Sequence, residues 1–377
     1  MEWVSLKNLL FAGMFHFLGY TPTPDFIGEP WARHDQPESV GYSSARLAEV
    51  GRLADDMAND AIVVVVDGKT LWEYGDPQAL SYLASVRKSL LAMLYGPYVE
   101  EGSIDLDLTM AEIGLDDVGG LLPLEREATI RDLIAARSGV YHEASNPGDN
   151  LADAPARGSQ RPGSYYLYSN WDFNAAGSAF EMLTGESIYD AFDSRLARPL
   201  GLQDWRRMIH LRNGDEERSE HLAYHFVLST RDMARLGELM LRDGMWNGER
   251  VLPATWTQQI ISTITPNEEM NPPMFRDSEF GYGYMWWVWD GPKVTCSYEG
   301  AYSARGAYGQ YITVVPKRDM VVAHKTFPDA RTDWQEFRQI LAGLIDANLS
   351  WSCQSGQPDA TANKTGLPTG NARRTRS

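Results

Sequence analysis

Three short stretches carry side chains able to make and break acyl bonds. The first is Ser85-Val86-Arg87-Lys88, where strand-like sequence gives way to a helical pattern. Positions i and i+3 of a helix share a face, so the Ser85 hydroxyl and the Lys88 amine can touch. An alcohol needs a neighbouring base before it attacks a carbonyl. A desolvated lysine can be that base, because burial lowers its pKa from ~10.4. A serine at a helix start also has backbone N–H groups and the positive end of the helix dipole aimed at a developing oxyanion. The plain alternative is a solvated helix start, since a serine followed by Lys at +3 occurs about once by chance in a chain this long.

The second stretch is Tyr168-Ser169-Asn170, after a Gly/Pro-rich loop and before a helix. A tyrosine held near Lys88 would have its phenolate favoured by the cation and could accept the serine proton. Asn170, two residues on, could hydrogen-bond a substrate amide and Lys88. A buried tyrosine beside a turn-forming asparagine is the structural alternative. The third is Gly306-Ala307-Tyr308-Gly309-Gln310, expected at the start of the strand QYITVVP. Glycine there permits close backbone approach, and the Ala307 N–H could be a second oxyanion donor; a bulge or strand-entry turn explains it equally well.

Positioning these stretches requires a particular order of elements. Ser43-Ser44 precedes a helix with Leu47, Val50, Leu53 and Met57 at helical spacing. AIVVVV (61–66), Asp67-Gly68-Lys69 and TLWEY (70–74) read as a hairpin. From Ser85 the chain turns helical: KSLLAMLYGPYV, then TIRDLIAAR up to Ser138-Gly139, a loop over 145–164, a helix from Asp172 to Leu183, and one capped by Ser229-Thr230 and stopped by Gly244. Strands return as YGYMWWVWD (282–290), QYITVVP (310–316) and MVVAHKT (320–326), and WQEFRQILAGLIDANL closes the fold. Two separated strand sets sharing one sheet would bracket an all-α insertion.

Order, placement and motifs together resemble the serine β-lactamase and penicillin-binding-protein-like hydrolases, whose first motif is serine, any two residues, lysine. The likeness spans roughly residues 43–346. Its supports are TIRDLIAARSGV, the PLGLQDW turn (199–205) and STRDMARLGELMLRDGMWNGERVLP (229–253). RGSQRPGSYYLYSNWDFN and SARGAYGQYITVVP look nearest to the class C branch that includes carboxylesterases and 6-aminohexanoate-dimer hydrolases. The resemblance implies an α/β (α+β) fold, with a central antiparallel sheet flanked by helices plus an all-α lobe. It implies one hydrolase domain over 1–350, with the α/β part at about 43–84 and 245–350 and the lobe at about 85–244; the Gly/Pro/Thr/Asn-rich composition beyond it reads as a disordered tail over 351–377.

Carried over by position, Ser85 would be acylated, Lys88 would activate it, and Tyr168 would be general base and acid. Asn170 would position substrate, and the Ser85 and Ala307 N–H groups would hold the oxyanion. One box departs from the family: β-lactamases place Lys-Thr-Gly on the strand before the oxyanion donor, and Ala304-Arg305-Gly306 stands here. Gly306 survives, but the ammonium that would meet a β-lactam carboxylate does not, and the planar fork of Arg305 is a different recognition element. The implied activity is therefore hydrolysis of small esters or amides. The alternatives are a β-lactamase or D-Ala-type peptidase using the same residues, and a non-catalytic acyl-ligand-binding member. Lys364-Thr365-Gly366 spells the missing box, but in polar sequence without a strand it is read as chance.

Composition narrows the partners. The 377 residues hold 34 Lys+Arg against 51 Asp+Glu, a net charge of −17, with 43% apolar residues and 2 cysteines. That excludes a disordered chain and a disulfide-stapled mini-protein, and the acidity disfavours nucleic acid and anionic membranes. Residues 351–377 carry +3, which puts −20 on the first 350 and leans the substrate towards neutral or cationic molecules. The opening MEWVSLKNLLFAGMFHFLGY lacks a clean signal pattern and reads as a helix or arm packed on the domain. Cytoplasm is the expected compartment, with secretion or a periplasmic location the alternative. Neither Cys296 nor Cys353 points to a disulfide framework or zinc site. His221 and His225, four apart, lack the flanks of a metal helix, and no metal or organic cofactor is expected. His142-Glu143 and the Trp286–Trp289 run could line a cleft or belong to loop and core. No G-x-S-x-G elbow exists, and Gly281-Tyr282-Gly283 is no dinucleotide loop.

Overall fold

The computed structural model describes residues 28–327 and 330–352. Helix α1 (Ser44–Asp55) starts where the Ser43 hydroxyl accepts from the Arg46 N–H, and it buries Leu47, Val50 and Ala54. Strands β1 (Asn59–Val66) and β2 (Lys69–Gly75) form the expected hairpin. Asp67 and Gly68 turn it with φ of 49° and 69°, the left-handed pair a tight hairpin needs. Helix α2 (Val86–Glu100) follows, buried from Val86 through Tyr98, which is why its sequence is apolar on every side. Helices α3 (Asn170–Thr184) and α4 (Thr230–Leu241) are capped by Ser169 and Ser229, each hydroxyl accepting from the N–H three residues on.

The other strands of the main sheet are β3 (Phe280–Tyr282), β4 (Trp287–Trp289), β5 (Tyr302–Gly306), β6 (Gln310–Val315) and β7 (Met320–Thr326). Helix α5 (Trp334–Asp346) follows, its start closed by an Asp333–Glu336 capping box. These seven strands form one antiparallel sheet in the order β2-β1-β7-β6-β5-β4-β3, beside three two-stranded ribbons of two-residue strands among the described residues. The early hairpin therefore pairs with the last strand, Ile62 opposite His324 and Val66 opposite Met320. Both faces are covered. Val63, Val65, Ala304, Ile312 and Val321 pack with α2 and α4, whereas Ile62, Val64, Val315 and Val322 pack with α1 and α5. A strand buried on both faces reads as an unbroken apolar run, as AIVVVV does.

Several expectations are corrected. YGYMWWVWD is not one strand: Met285 takes φ of 59° and the Gly283 N–H donates to the Trp286 carbonyl at 2.8 Å, folding it into the β3–β4 hairpin. TIRDLIAAR is helical only over Ile130–Ile134, because Ala136 is left-handed at φ 57°. Gly306 closes β5 rather than opening β6; Ala307, Tyr308 and Gly309 make the turn, the last two with φ of 69° and 97°. Cys296 is disulfide-bonded, against the reading of the cysteines from composition and spacing. It begins a 3-10 turn, not a strand. Ordered sequence also runs into the expected tail, where the Arg318 guanidinium sits 3.3 Å from the centre of the Trp351 ring. The opening arm, Cys353 and Lys364-Thr365-Gly366 lie outside the described residues.

Candidate active site

Ser85 stands at the junction that the hairpin and the helical block share. Ala84 before it takes φ of 49°, an uncommon conformation for a residue with a Cβ, and Ser85 then enters α2 as its N-cap at φ −75°, ψ −7°. One turn on, Lys88 is 1% exposed. Its Nζ lies 3.0 Å from Ser85 Oγ, 2.6 Å from the Tyr168 hydroxyl and 2.6 Å from Asn170 Oδ1. The four residues from two distant stretches thus meet at one nitrogen.

The start of α3 holds the second pair. The Asn170 N–H donates to Asp149 Oδ2 at 3.0 Å, and Asn170 Nδ2 donates to the Pro147 carbonyl at 2.9 Å. With Nδ2 spent on the loop, Oδ1 is left to face Lys88. The Tyr168 ring is wedged among Phe173, Trp287 and Tyr282, at centroid distances of 5.0, 5.6 and 6.1 Å. Lys88 Nζ lies 4.5 Å from the centre of the Phe173 ring.

Burial sets the proton inventory. It holds the Lys88 amine well below the ordinary lysine range, the Arg87 charge pushes the same way, and Asp149 opposes them. Burial also pushes the Tyr168 phenol up to about 12, although Ser85, Arg87 and Arg305 each act to lower it. The expectation that a cation would favour the phenolate is therefore corrected: desolvation outweighs the neighbouring charges. Desolvation thus favours the uncharged form of both the amine and the phenol. A neutral amine donates twice and accepts once, which matches three oxygen partners with one of the two hydroxyls donating to Nζ.

Gly306 brings the third stretch in. A Cβ there would lie 2.4 Å from the Leu83 carbonyl oxygen and 3.3 Å from the Ala84 Cβ. Only glycine lets the end of β5 close on the turn before Ser85. Arg305 does not join the cluster. Strand alternation sends it to the face opposite Ala304, where its guanidinium carbon lies 4.2 to 4.8 Å from the ring centres of Trp334, Phe280 and Trp287.

A family model described as Beta-lactamase matches residues 48–333. The chain belongs to the β-lactamase family. A 6-aminohexanoate-dimer hydrolase from Paenarthrobacter ureafaciens is 24% identical over 80% of this chain and 81% of its own length. Penicillin-binding protein 4 of Amycolatopsis lactamdurans is 26% identical over 70% of this chain and 77% of its own length. Among solved structures, a Bacillus anthracis protein provisionally titled a 6-aminohexanoate-dimer hydrolase superposes with a TM-score of 0.63 at 21% identity. It covers 89% of this chain and 92% of its own. EstCE1, a hydrolase with promiscuous acyltransferase activity, superposes at 0.58 with 17% identity, over 82% of this chain and 98% of its own.

Against the β-lactamase family's Lys-Thr-Gly box, Ala304 turns inward with 0% exposure, so no ammonium stands on this strand next to the cluster. Several neighbours of the site escaped the sequence reading. Arg87 is 2% exposed, donates through Nη2 to Asn174 Oδ1 at 2.6 Å and lies 4.3 Å from the Tyr224 ring centre, with Nη1 unpartnered. No carboxylate pairs with it among the described residues. Asp149 and Phe173 also went unseen; only the adjacency of Arg87 to Lys88 and of Phe173 to Asn170 could have marked two of them. His142 is occupied elsewhere, its Nε2 on the Val118 carbonyl at 2.9 Å. His221 meets Ser178 and His225 packs edge-on to Tyr82, so the two do not converge.

Proposed function

We propose that the chain is a serine hydrolase that cleaves small esters or amides through an acyl-enzyme on Ser85. The observation that carries this is the buried Lys88 nitrogen, 3.0 Å from Ser85 Oγ and 2.6 Å from both the Tyr168 hydroxyl and Asn170 Oδ1. A surface lysine at ordinary pKa is protonated at neutral pH and can remove nothing; a desolvated one can.

Ser85 Oγ attacks the substrate carbonyl carbon while its proton passes to the Lys88 amine. The carbonyl oxygen becomes an oxyanion held by the Ser85 and Ala307 N–H groups. Collapse breaks the bond to the leaving group, which takes the proton through Tyr168, leaving Ser85 acylated. Water then attacks the acyl carbonyl and gives its proton to the same pair; the Ser85–acyl bond breaks, the pair returns that proton to Ser85 Oγ, and the acid is released. Asn170 fixes the Lys88 rotamer and is a substrate-amide partner, as are the backbone atoms of Gly306 and Ala307. No step calls for a metal or an organic cofactor.

The relatives named hydrolases favour a hydrolytic reaction, and the acyltransferase activity named for EstCE1 fits an acyl-enzyme. The absence of an ammonium on β5 favours simple esters and amides over β-lactams. The disulfide at Cys296 favours an oxidising compartment over the cytoplasm. A fluorophosphonate probe should label the wild-type protein and not Ser85→Ala, and Ser85→Ala should lose p-nitrophenyl ester hydrolysis while staying folded. Turnover retained by Ser85→Ala would sink the assignment. Nitrocefin and a short linear amide in the same panel separate the β-lactamase and peptidase readings; labelling without turnover would mark a binding protein.

A further inference from the structure

On the sheet face that Arg305 points to lies a cavity of about 520 Å3 whose walls include Phe280, Trp287, Lys293, Arg305, Trp334 and Arg338. Asp277 and Glu279 also line it, so three cations face two carboxylates. Glu279 is already engaged: its Oε1 accepts from Trp334 Nε1 at 2.8 Å and lies 3.3 Å from Arg338 Nε. Lys293 donates to the Asp277 carbonyl. Arg305 has no such arrangement. Its guanidinium carbon is 4.2 Å from the Trp334 ring centre, 4.4 Å from that of Phe280 and 4.8 Å from that of Trp287. No hydrogen bond or ion pair reaches its nitrogens among the described residues.

Three rings hold this guanidinium in place and leave its N–H donors unspent. Cation–π contacts offset only part of the cost of desolvating the guanidinium. A buried charge without a hydrogen-bonded partner is left short even with the Glu279 charge in range. A planar anion closes that gap, because a carboxylate accepts two parallel N–H bonds from a guanidinium edge. We propose that this cavity is a carboxylate-binding site anchored by Arg305, its aromatic walls receiving the apolar or aromatic body that bears the acid group.

Position ties the cavity to the reaction centre. Trp287 is a common wall, lining the cavity and packing its ring 5.6 Å from that of Tyr168. The Arg305 charge also reaches Tyr168, where it acts to lower the phenol's pKa. The net charge of −17 pointed away from acidic substrates, but the charges that line the pocket decide local recognition. The acid group belongs either to the substrate itself or to a free carboxylate bound beside it. The first case rests on the hydrolase reading of Ser85; binding as such does not.

Calorimetric titration of the wild-type protein with benzoate and with benzamide tests the binding alone. Benzoate should bind at least tenfold more tightly than benzamide, and Arg305→Met should lose at least tenfold of that affinity while Arg305→Lys loses less. Equal binding of benzoate and benzamide, or no benzoate binding at millimolar concentration, overturns the proposal even if Arg305→Met fails to fold. Hydrolysis of p-nitrophenyl hemisuccinate against p-nitrophenyl butyrate identifies the source. A tenfold or greater fall in that ratio in Arg305→Met marks a substrate carboxylate. An unchanged ratio with benzoate binding intact in the wild type marks a free one. Failure of both esters to react would reject the hydrolase reading and leave the calorimetric result standing.

Discussion

Replacing Lys88 with methionine separates proton transfer from packing. Methionine matches the lysine stem in length and volume, so α2 keeps its contacts and only the nitrogen goes. That nitrogen lies 3.0 Å from Ser85 Oγ, and burial is the main cause that disfavours its charged form. A positioned general base is worth about 10²–10⁴ in rate, which is about 3–5 kcal/mol of transition-state stabilisation at 1.36 kcal/mol per decade. The stability change is smaller because two effects oppose. Asn170 Oδ1 loses its 2.6 Å partner, at roughly 1–3 kcal/mol for an orphaned buried acceptor. A buried amine whose charged form is strongly disfavoured is removed at the same time. The Tyr168 hydroxyl keeps a partner in Ser85. Lys88→Met should therefore lower kcat/KM for p-nitrophenyl butyrate by about 10²–10⁴ and shift Tm by no more than roughly 5 °C. Fluorophosphonate labelling of Ser85 should slow in parallel. A folded Lys88→Met protein within tenfold of wild-type kcat/KM would refute the assignment of Lys88 as the proton acceptor.

Two further outcomes test the scaffold. Gly306→Ala places a methyl 2.4 Å from the Leu83 carbonyl oxygen, a backbone atom that cannot swing aside, so β5 must part from the turn before Ser85. About 1–3 kcal/mol of stability should be lost, with at least a tenfold fall in kcat/KM; an unchanged Tm and rate would show that the contact is not needed. His210 is stacked 4.2 Å from the Trp205 ring centre, and burial pushes its pKa down to about 3. It stays neutral in the fold while the unfolded state takes a proton near pH 6.5, so its contribution is full above pH 6.5 and drains as pH falls towards 3. His210→Phe removes this drain. Relative to wild type it should gain about 2 kcal/mol between pH 7.5 and 5.0, read as a Tm difference that moves in its favour. The same Tm difference at both pH values would contradict a neutral, buried His210.

What the sequence made legible follows from the range of the interactions involved. Ser85 and Lys88 meet because helical periodicity puts i and i+3 together, and the Asp67-Gly68 turn is forced by the two positive φ angles it needs. The meeting with Tyr168 and Asn170 was readable only through family resemblance, since no periodicity links residues about eighty positions apart. Signs and directions were the hardest part. Whether Lys88 favours the Tyr168 phenolate depends on how far desolvation outweighs Coulomb attraction, and burial of that degree is a property of the assembled lobe. Arg305 went astray for a simpler reason. Aligning it with a motif says which strand it occupies, whereas the pleat decides which face it leaves from, and Gly306 and Ala304 already occupy the face towards Ser85. The packing of Trp351 on Arg318 was illegible because a residue past the last helix gains structure only from a surface already folded to receive it. Arg87 joins both kinds of case. Its place next to Lys88 is plain in the chain, but its effect arises because Asn174 and Tyr224 take the guanidinium without neutralising it. Arg87 thereby adds to the effect of burial in lowering the Lys88 pKa, without making a hydrogen bond to it.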